Sequence, residues 1–252
     1  MSNRVALVTG GGQGIGQAIC EVLGGRGFQV AVADLNADTA QATAKTIIEA
    51  GGTARSVPTD VTDFSSVRAA VKTVTSELGP IEVVVNNAGW DDFMSFVDTT
   101  EDFWDRVLDI NFKGALRVIH AVVPAMMEHG WGRVINIGSD AGRVGSSLES
   151  VYSGAKGGII AFTKTLAREV AARGITANTV CPGPTDTPAL RTFASNSGQD
   201  GEKVISAMTR SVPMRRLAQP SDVAAAVAFF ASDATGYITG QTLSVSGGLT
   251  MA

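Results

Sequence analysis

Tyr152 and Lys156 close the run Tyr-Ser-Gly-Ala-Lys. On a helix an i, i+4 pair shares one face. A phenol titrates near about 10 and is a poor base at neutral pH. A neighbouring ammonium favours the phenolate and lowers that value. Ser139, upstream, offers a hydroxyl that can donate to a substrate oxygen as charge develops on it. The three suit proton transfer to and from an alcohol or carbonyl oxygen. The two histidines, His120 and His129, are not placed like general bases and cannot build a His-rich zinc site. No metal is expected.

A second cluster lies near the start of the chain. Thr9-Gly10-Gly11-Gly12-Gln13-Gly14-Ile15-Gly16 follows an apolar run and precedes a helical pattern. Strand, glycine turn and helix N-terminus make a pyrophosphate cradle, because glycine admits the backbone and free N–H groups face the anion. The alternative is a tight turn with no ligand. Asp34 ends the next apolar run, where a carboxylate can accept from both ribose hydroxyls of NAD. It repels a 2′-phosphate, and residues 35–44 contain no Arg or Lys to offset it. The pattern predicts NAD over NADP; the alternative is Asp34 as a helix N-cap.

These groups need a scaffold that brings distant segments together. Apolar runs predict strands over 5–9, 29–33, 54–58, 81–86, 133–138, 175–181 and 242–245. Helical periodicity predicts helices over 14–25, 37–50, 64–78, 101–129, 151–173 and 221–231, the last opened by Ser221 as N-cap. Strands alternating with helices imply βαβ units and a parallel sheet. Near-continuous apolar strands require helices on both faces. The expectation is α/β: one doubly wound Rossmann domain over 1–252, with a parallel sheet of about seven strands. Residues 182–220 hold five of the eight prolines, and 183–220 reads as a substrate loop or lid within that domain. Its tip is the polar stretch 195–201.

Composition narrows the function classes. With 44% hydrophobic and 17% charged residues the chain is globular. A formal net charge of −4 argues against a nucleic-acid partner, which needs clustered Lys and Arg. No apolar run reaches the ~18 residues of a membrane span. Only Cys20 and Cys181 are present, so no disulfide framework is supported. Met1-Ser2-Asn3-Arg4 leads straight into an apolar strand, unlike a secretory signal. The expectation is a cytoplasmic protein acting on a small molecule.

The motifs together resemble the short-chain dehydrogenase/reductase family over essentially the whole length. They are Thr9–Gly16, Asp60-Val61, Asn86-Asn87-Ala88-Gly89, Asn111, Ser139, Tyr152-x-x-x-Lys156 and Pro182-Gly183. The resemblance implies Tyr152 as general acid/base. It implies that Lys156 lowers the Tyr152 pKa and binds the nicotinamide ribose, that Ser139 polarises the substrate oxygen, and that Asn111 holds a relay water. Asp60 and Val61 would contact adenine, and Asn87, Ala88 and Gly89 would line the adenosine side. Pro182, Gly183 and Thr187 would flank the nicotinamide. Thr185, grouped with them, stands where the family often has Ile or Val. Read without the resemblance, Asn86 and Asn87 serve equally as turn formers, and Asn111 as a helix kink or cap. A homotetramer is also implied.

Further stretches resemble the 2-hydroxycyclohexanecarboxyl-CoA dehydrogenases within that family. They are Trp90-Asp91, Asp140-Ala141, 143–147, 180–187 and 243–251. The resemblance implies a cyclic hydroxyacyl-CoA substrate. Trp90, Phe93, Val144 and Leu190 would form an apolar wall, with Asp140 beside Ser139. Arg143, Arg191, Lys203 and Arg210 would form a basic rim; equally, they are solvated surface charges. The other readings are a free alicyclic or aryl secondary alcohol, 3-oxoacyl-carrier-protein reduction, and an NAD-sensing module without activity.

Overall fold

The strand segments are apolar on both sides, and the chain folds so that each side is covered. The computed structural model describes residues 3–196 and 201–251. Seven strands form one sheet: β1 (Val5–Thr9), β2 (Gln29–Asp34), β3 (Thr53–Pro58), β4 (Ile81–Asn86), β5 (Gly132–Ile137), β6 (Ile175–Pro182) and β7 (Thr242–Val245). Their order is β3-β2-β1-β4-β5-β6-β7, and every pairing is parallel.

The helices are α1 (Gly14–Gly25), α2 (Ala37–Glu49), α3 (Phe64–Glu77), α4 (Glu101–Leu108), α5 (Gly114–His129) and the short α6 (Ala141–Val144). They continue as α7 (Ser150–Val170), α8 (Pro188–Asn196), α9 (Gly201–Ser211) and α10 (Pro220–Phe230). Alternate strand residues feed two cores. Ala6, Val8, Val30 and Val32 pack with α1, α2 and α10. Val5, Leu7, Ala31 and Ala33 pack with α3, α5 and α7. This is the predicted doubly wound Rossmann architecture. The strand order reverses between β1 and β4, so the crevice for a ligand opens past their carboxyl ends.

Two expectations are corrected. The helix expected over 101–129 is broken by a π turn at Asp109–Lys113. The cap of α10 is Gln219, not Ser221, with Pro220 in the first turn. The Gln219 N–H donates to Asp222 Oδ2 at 2.8 Å, so a carboxylate one turn in fixes the start that proline prepares. The segment expected as a loop over 183–220 carries two helices, α8 and α9. Residues 197–200 of its expected tip lie outside the described residues.

Candidate active site

The glycine turn is shaped by what a side chain would strike. A Cβ on Gly16 would lie 1.9 Å from the Gly10 carbonyl oxygen, so only glycine lets α1 start this close to β1. Gln13 is extended, and no side chain caps the first turn of α1. That leaves its N–H groups directed at an anion. Gly14, at φ +55°, faces Thr187, whose methyl would lie 3.5 Å from a Cβ there. Ile15 packs into the core beneath. Gly14 and Thr187 thus face each other at an uncapped helix start, the kind of terminus that receives a phosphate.

Asp34 is the last residue of β2 and accepts from the Gly12 N–H at 2.8 Å and the Asn36 N–H at 2.9 Å. It is not the N-cap of α2; Asn36 takes that place, accepting from Asp38 and Thr39. Asp34 is half-buried, beside the glycine turn and at the β2 end that an adenosine ribose would approach. Asp60 and Val61 follow β3, next to β2. Asp60 Oδ1 accepts from Thr62 N–H and hydroxyl at 2.8 and 2.7 Å. Asn87 bonds the glycine turn. Its Nδ2 donates to Thr9 and Gly10 carbonyls at 3.1 and 3.0 Å, and Asn87 and Ala88 N–H groups donate to Thr9 Oγ1. It ties the glycine turn to the end of β4.

The proton-transfer groups converge from three other elements. Ser139 follows β5, and Tyr152 and Lys156 lie one turn apart on α7. The Tyr152 and Ser139 side chains face each other, close enough for Ser139 to favour the phenolate. Lys156 Nζ lies 5.4 Å from the Tyr152 ring centre and donates to the Ile137 carbonyl at 3.0 Å. Asn111 sits in the π turn. Its Nδ2 donates to Trp90 and Val107 carbonyls at 2.5 and 2.9 Å, and its Oδ1 accepts from the Trp90 N–H at 3.2 Å. Gly89 lies between them: a Cβ there would be 2.8 Å from Asn111 Oδ1 and 3.5 Å from Lys156 Nζ. The tetrad therefore closes around the Asn87-Ala88-Gly89 turn.

Burial dominates the electrostatics. It pushes Lys156 down to about 8. Tyr152 moves far above the ordinary phenol value, first by desolvation and then by the charges of Glu149 and Asp91; the Ser139 hydroxyl opposes this. The expected lowering by Lys156 does not dominate among the protein's own groups, because that ammonium is desolvated and spends a hydrogen bond on Ile137. Burial also pushes the Cys181 thiol up to about 11.

The remaining predicted residues separate. Pro182 and Gly183 end β6 beside the site. Pro182 accepts from the Asp140 N–H at 3.1 Å, and the Gly183 N–H donates to Val245 at 3.1 Å. The Thr185 side chain is buried and donates to the Gly183 carbonyl at 2.9 Å. Trp90 leans on α4, over which Arg106 stacks at 3.8 Å and Phe103 meets it edge-on at 5.8 Å. Phe93 stacks on Phe193 of α8, with ring centres 3.8 Å apart, and so joins the β4 loop to the 183–220 segment. The Leu190 N–H donates to Thr187 Oγ1 at 3.2 Å; Val144 is exposed.

Arg143 donates to Ser244 Oγ at 2.7 Å, and that hydroxyl bonds Asp140. Arg191 forms a bidentate pair with Asp186 at 2.8 Å, and Arg210 donates to Ser206 at 2.7 Å. A cavity of about 670 Å³ lies between α8 and α9, lined in part by Arg191 and Arg210; none of the tetrad lines it.

Sequence reading missed a buried polar chain: Asn86 to Asn136 at 2.8 Å, Asn136 to Thr163 at 2.8 Å, and Thr163 to the Ile159 carbonyl at 2.7 Å. It ties β4 and β5 to α7. Its signal was an asparagine inside the apolar run Arg-Val-Ile-Asn-Ile. Arg117 was missed too. It pairs with Asp109 at 2.7 Å and donates to the Val61 carbonyl at 3.2 Å, holding the π turn to the β3 end.

Known proteins share this arrangement. A family profile described as Enoyl-(Acyl carrier protein) reductase matches residues 10–250. Nodulation protein G of Azospirillum brasilense is 40% identical over 252 residues, covering 99% of each chain. A 3-oxoacyl-[acyl-carrier-protein] reductase of Vibrio harveyi is 39% identical, covering 100% of this chain and 99% of its own. Short-chain reductase protein NovJ of Streptomyces niveus is 40% identical, covering 97% and 93%. A crystal structure of an actinorhodin polyketide ketoreductase variant with NADPH superposes with a TM-score of 0.94 at 37% identity, covering 98% and 97%. With a dinucleotide cradle, a Ser-Tyr-Lys-Asn cluster and relatives alike end to end, the chain belongs to the short-chain dehydrogenase/reductase family of oxidoreductases acting on ketones and alcohols.

Proposed function

We propose that the chain is an NAD-dependent oxidoreductase that interconverts a secondary alcohol and a ketone. Its substrate on this reading is a cyclic hydroxyacyl thioester such as 2-hydroxycyclohexanecarboxyl-CoA. The observation that carries the reaction is Tyr152 facing Ser139, with Lys156 one turn on and Asn111 beside it across Gly89. The bound nicotinamide supplies the hydride chemistry. Ser139 holds and polarises the substrate oxygen. Tyr152 gives its proton to a ketone oxygen, or takes one from an alcohol. Lys156, charged below about pH 8, is the cation that opposes the negative groups around the phenol. Asn111 fixes the Trp90 backbone and thus the turn that floors the site.

NAD is favoured over NADP by Asp34, whose carboxylate stands where a 2′-phosphate would lie, without a basic neighbour in 35–44. The ketoreductase relative was crystallised with NADPH; Asp34 is the physical reason to expect a different preference here, and it argues against a carrier-protein reductase of the NADP-linked kind. A complete tetrad argues against a mere NAD sensor. The buried free thiols and acidic composition fit a reducing, cytoplasmic setting. Residues 183–220 serve as the lid of a single 1–252 domain. Homotetramer formation is inferred with the family, through α5 and α7.

The thioester is supported by relatives named for acyl-carrier substrates and by the motif resemblance. A free alicyclic or aryl alcohol is the second reading. It is favoured by the engagement of Arg143 and Arg191 with Ser244 and Asp186, which leaves a less basic rim. Initial rates of NAD reduction separate them, comparing 2-hydroxycyclohexanecarboxyl-CoA with cyclohexanol and 1-phenylethanol. A large kcat/KM advantage for the thioester supports the first reading; preference for the free alcohols replaces it with the second. Activity with NADP equal to that with NAD overturns the cofactor assignment.

A further inference from the structure

Two carboxyl groups that the reaction above does not use lie against Tyr152. Asp91 follows the Asn87-Ala88-Gly89 turn, and Glu149 immediately precedes α7. Both line one narrow recess with Tyr152, Val151 and Phe103. The loops that carry them are tied by the Met94 N–H donating to the Leu148 carbonyl at 2.9 Å. Both Asp91 oxygens are buried, and among the described residues neither has a well-aligned donor; the Asp92 backbone gives only partial relief.

The Glu149 carboxyl shares that recess with Asp91, near enough for each group to shift the other. Two carboxylates repel; the contact becomes favourable only when one carries a proton. Asp91, with both oxygens buried and without a donor among the described residues, is the better place for that proton. Burial agrees, pushing Asp91 up to about 7 and Glu149 upward as well.

We propose that Asp91 and Glu149 are positioning residues, a proton-sharing acidic pair that holds Tyr152 as the phenol and keeps it charged with the proton that a ketone oxygen takes up. The sign follows from the groups around the phenol. Glu149 and Asp91 oppose the phenolate, as does the Cys181 thiol if it ionises; the Ser139 hydroxyl favours it. Lys156 is the cation on the same helix face, and it is held by the Ile137 carbonyl. Asp92 and Lys156 are the other charges acting on Asp91. As pH rises through neutrality the pair loses its shared proton, gains a second negative charge, and resists Tyr152 ionisation more. Ketone reduction, which needs the phenol, keeps its pH range; alcohol oxidation, which needs the phenolate, is displaced to higher pH.

The chain allows a direct test, because its two tyrosines are Tyr152 and the fully exposed Tyr237. In a Tyr237→Phe background, tyrosinate absorbance against pH reports Tyr152 alone, with no substrate or cofactor. Asp91→Asn and Glu149→Gln are each expected to lower its midpoint by at least about one pH unit, the effect of one charge about 12 Å away at an effective dielectric of ~20. Asp91→Glu, which restores the charge, leaves it near the parent value.

The rising limb of alcohol oxidation should move the same way. Midpoints unmoved in both neutral variants, or moved upward, overturn the proposal. Glu149→Gln carries the test if Asp91→Asn does not fold. The proposal rests on the proposed reaction only for its consequence in the two directions. Shifted midpoints without turnover of any tested alcohol would reject that reaction and leave the pair standing; normal turnover with unmoved midpoints would reject the pair alone.

Discussion

Tyr152, Asp34 and Asp91 each make a separable claim. Replacing Tyr152 with Phe removes the acid/base hydroxyl and keeps the ring. Turnover should fall by about 10²–10⁴-fold while cofactor binding, read by fluorescence or calorimetry, stays near that of the parent. Asp34→Ala removes the charge facing a 2′-phosphate. The ratio of NADP to NAD kcat/KM should rise by on the order of tenfold, which corresponds to about 1.4 kcal/mol; an unchanged ratio would reject the assignment. Asp91 carries a stability signature. Its folded value of about 7 lies above the ~3.9 of an unfolded aspartate, so the fold favours the neutral acid. That contribution is complete below about pH 4 and is lost as pH rises through about 7. Asp91→Asn should therefore raise Tm above pH 7 and match the parent near pH 4, as thermal melts across that range will show.

The elements that hold these side chains were legible where local pattern encodes them and obscure where packing does. The strand runs and the α1, α2, α3 and α7 patterns give spans that match within a few residues, because apolar periodicity is written along the chain. The π turn at Asp109–Lys113 was not. It follows from Asn111 bonding the Trp90 backbone and Arg117 bonding Asp109 and Val61, all tertiary contacts. A single extra residue in the turn sets Asn111 toward Gly89 and Lys156, which an unbroken 101–129 helix would not do. The Asn86–Asn136–Thr163 chain has the same character. Thr163→Val keeps the shape and removes the acceptor for Asn136 Nδ2. Leaving that buried donor unpaired should cost about 1–3 kcal/mol, read as a lower urea midpoint at unchanged slope.

Across the whole molecule, the parallel order β3-β2-β1-β4-β5-β6-β7 puts every chemical group at one edge: Gly10–Gly16 after β1, Asp34 at β2, Gly89 after β4, Ser139 after β5, Pro182 at β6. Among the described residues β7 is an edge strand; it carries exposed Leu243, and exposed Leu249 and Met251 follow it. An apolar open edge is a surface that natural sheets cover, which agrees with the inferred homotetramer; light scattering at the monomer mass would reject it. The doubly wound fold and the family were written in the chain, because turn chemistry, strand pattern and helix spacing act over a few residues. Which charges remain available was decided only by packing. Ser244 meets Arg143 and Asp140 across about a hundred residues of chain, and Asp91 comes to Glu149 only because their loops are tied at Met94 and Leu148. Desolvation then sets how those groups titrate, and desolvation is a property of surroundings that no local spacing records.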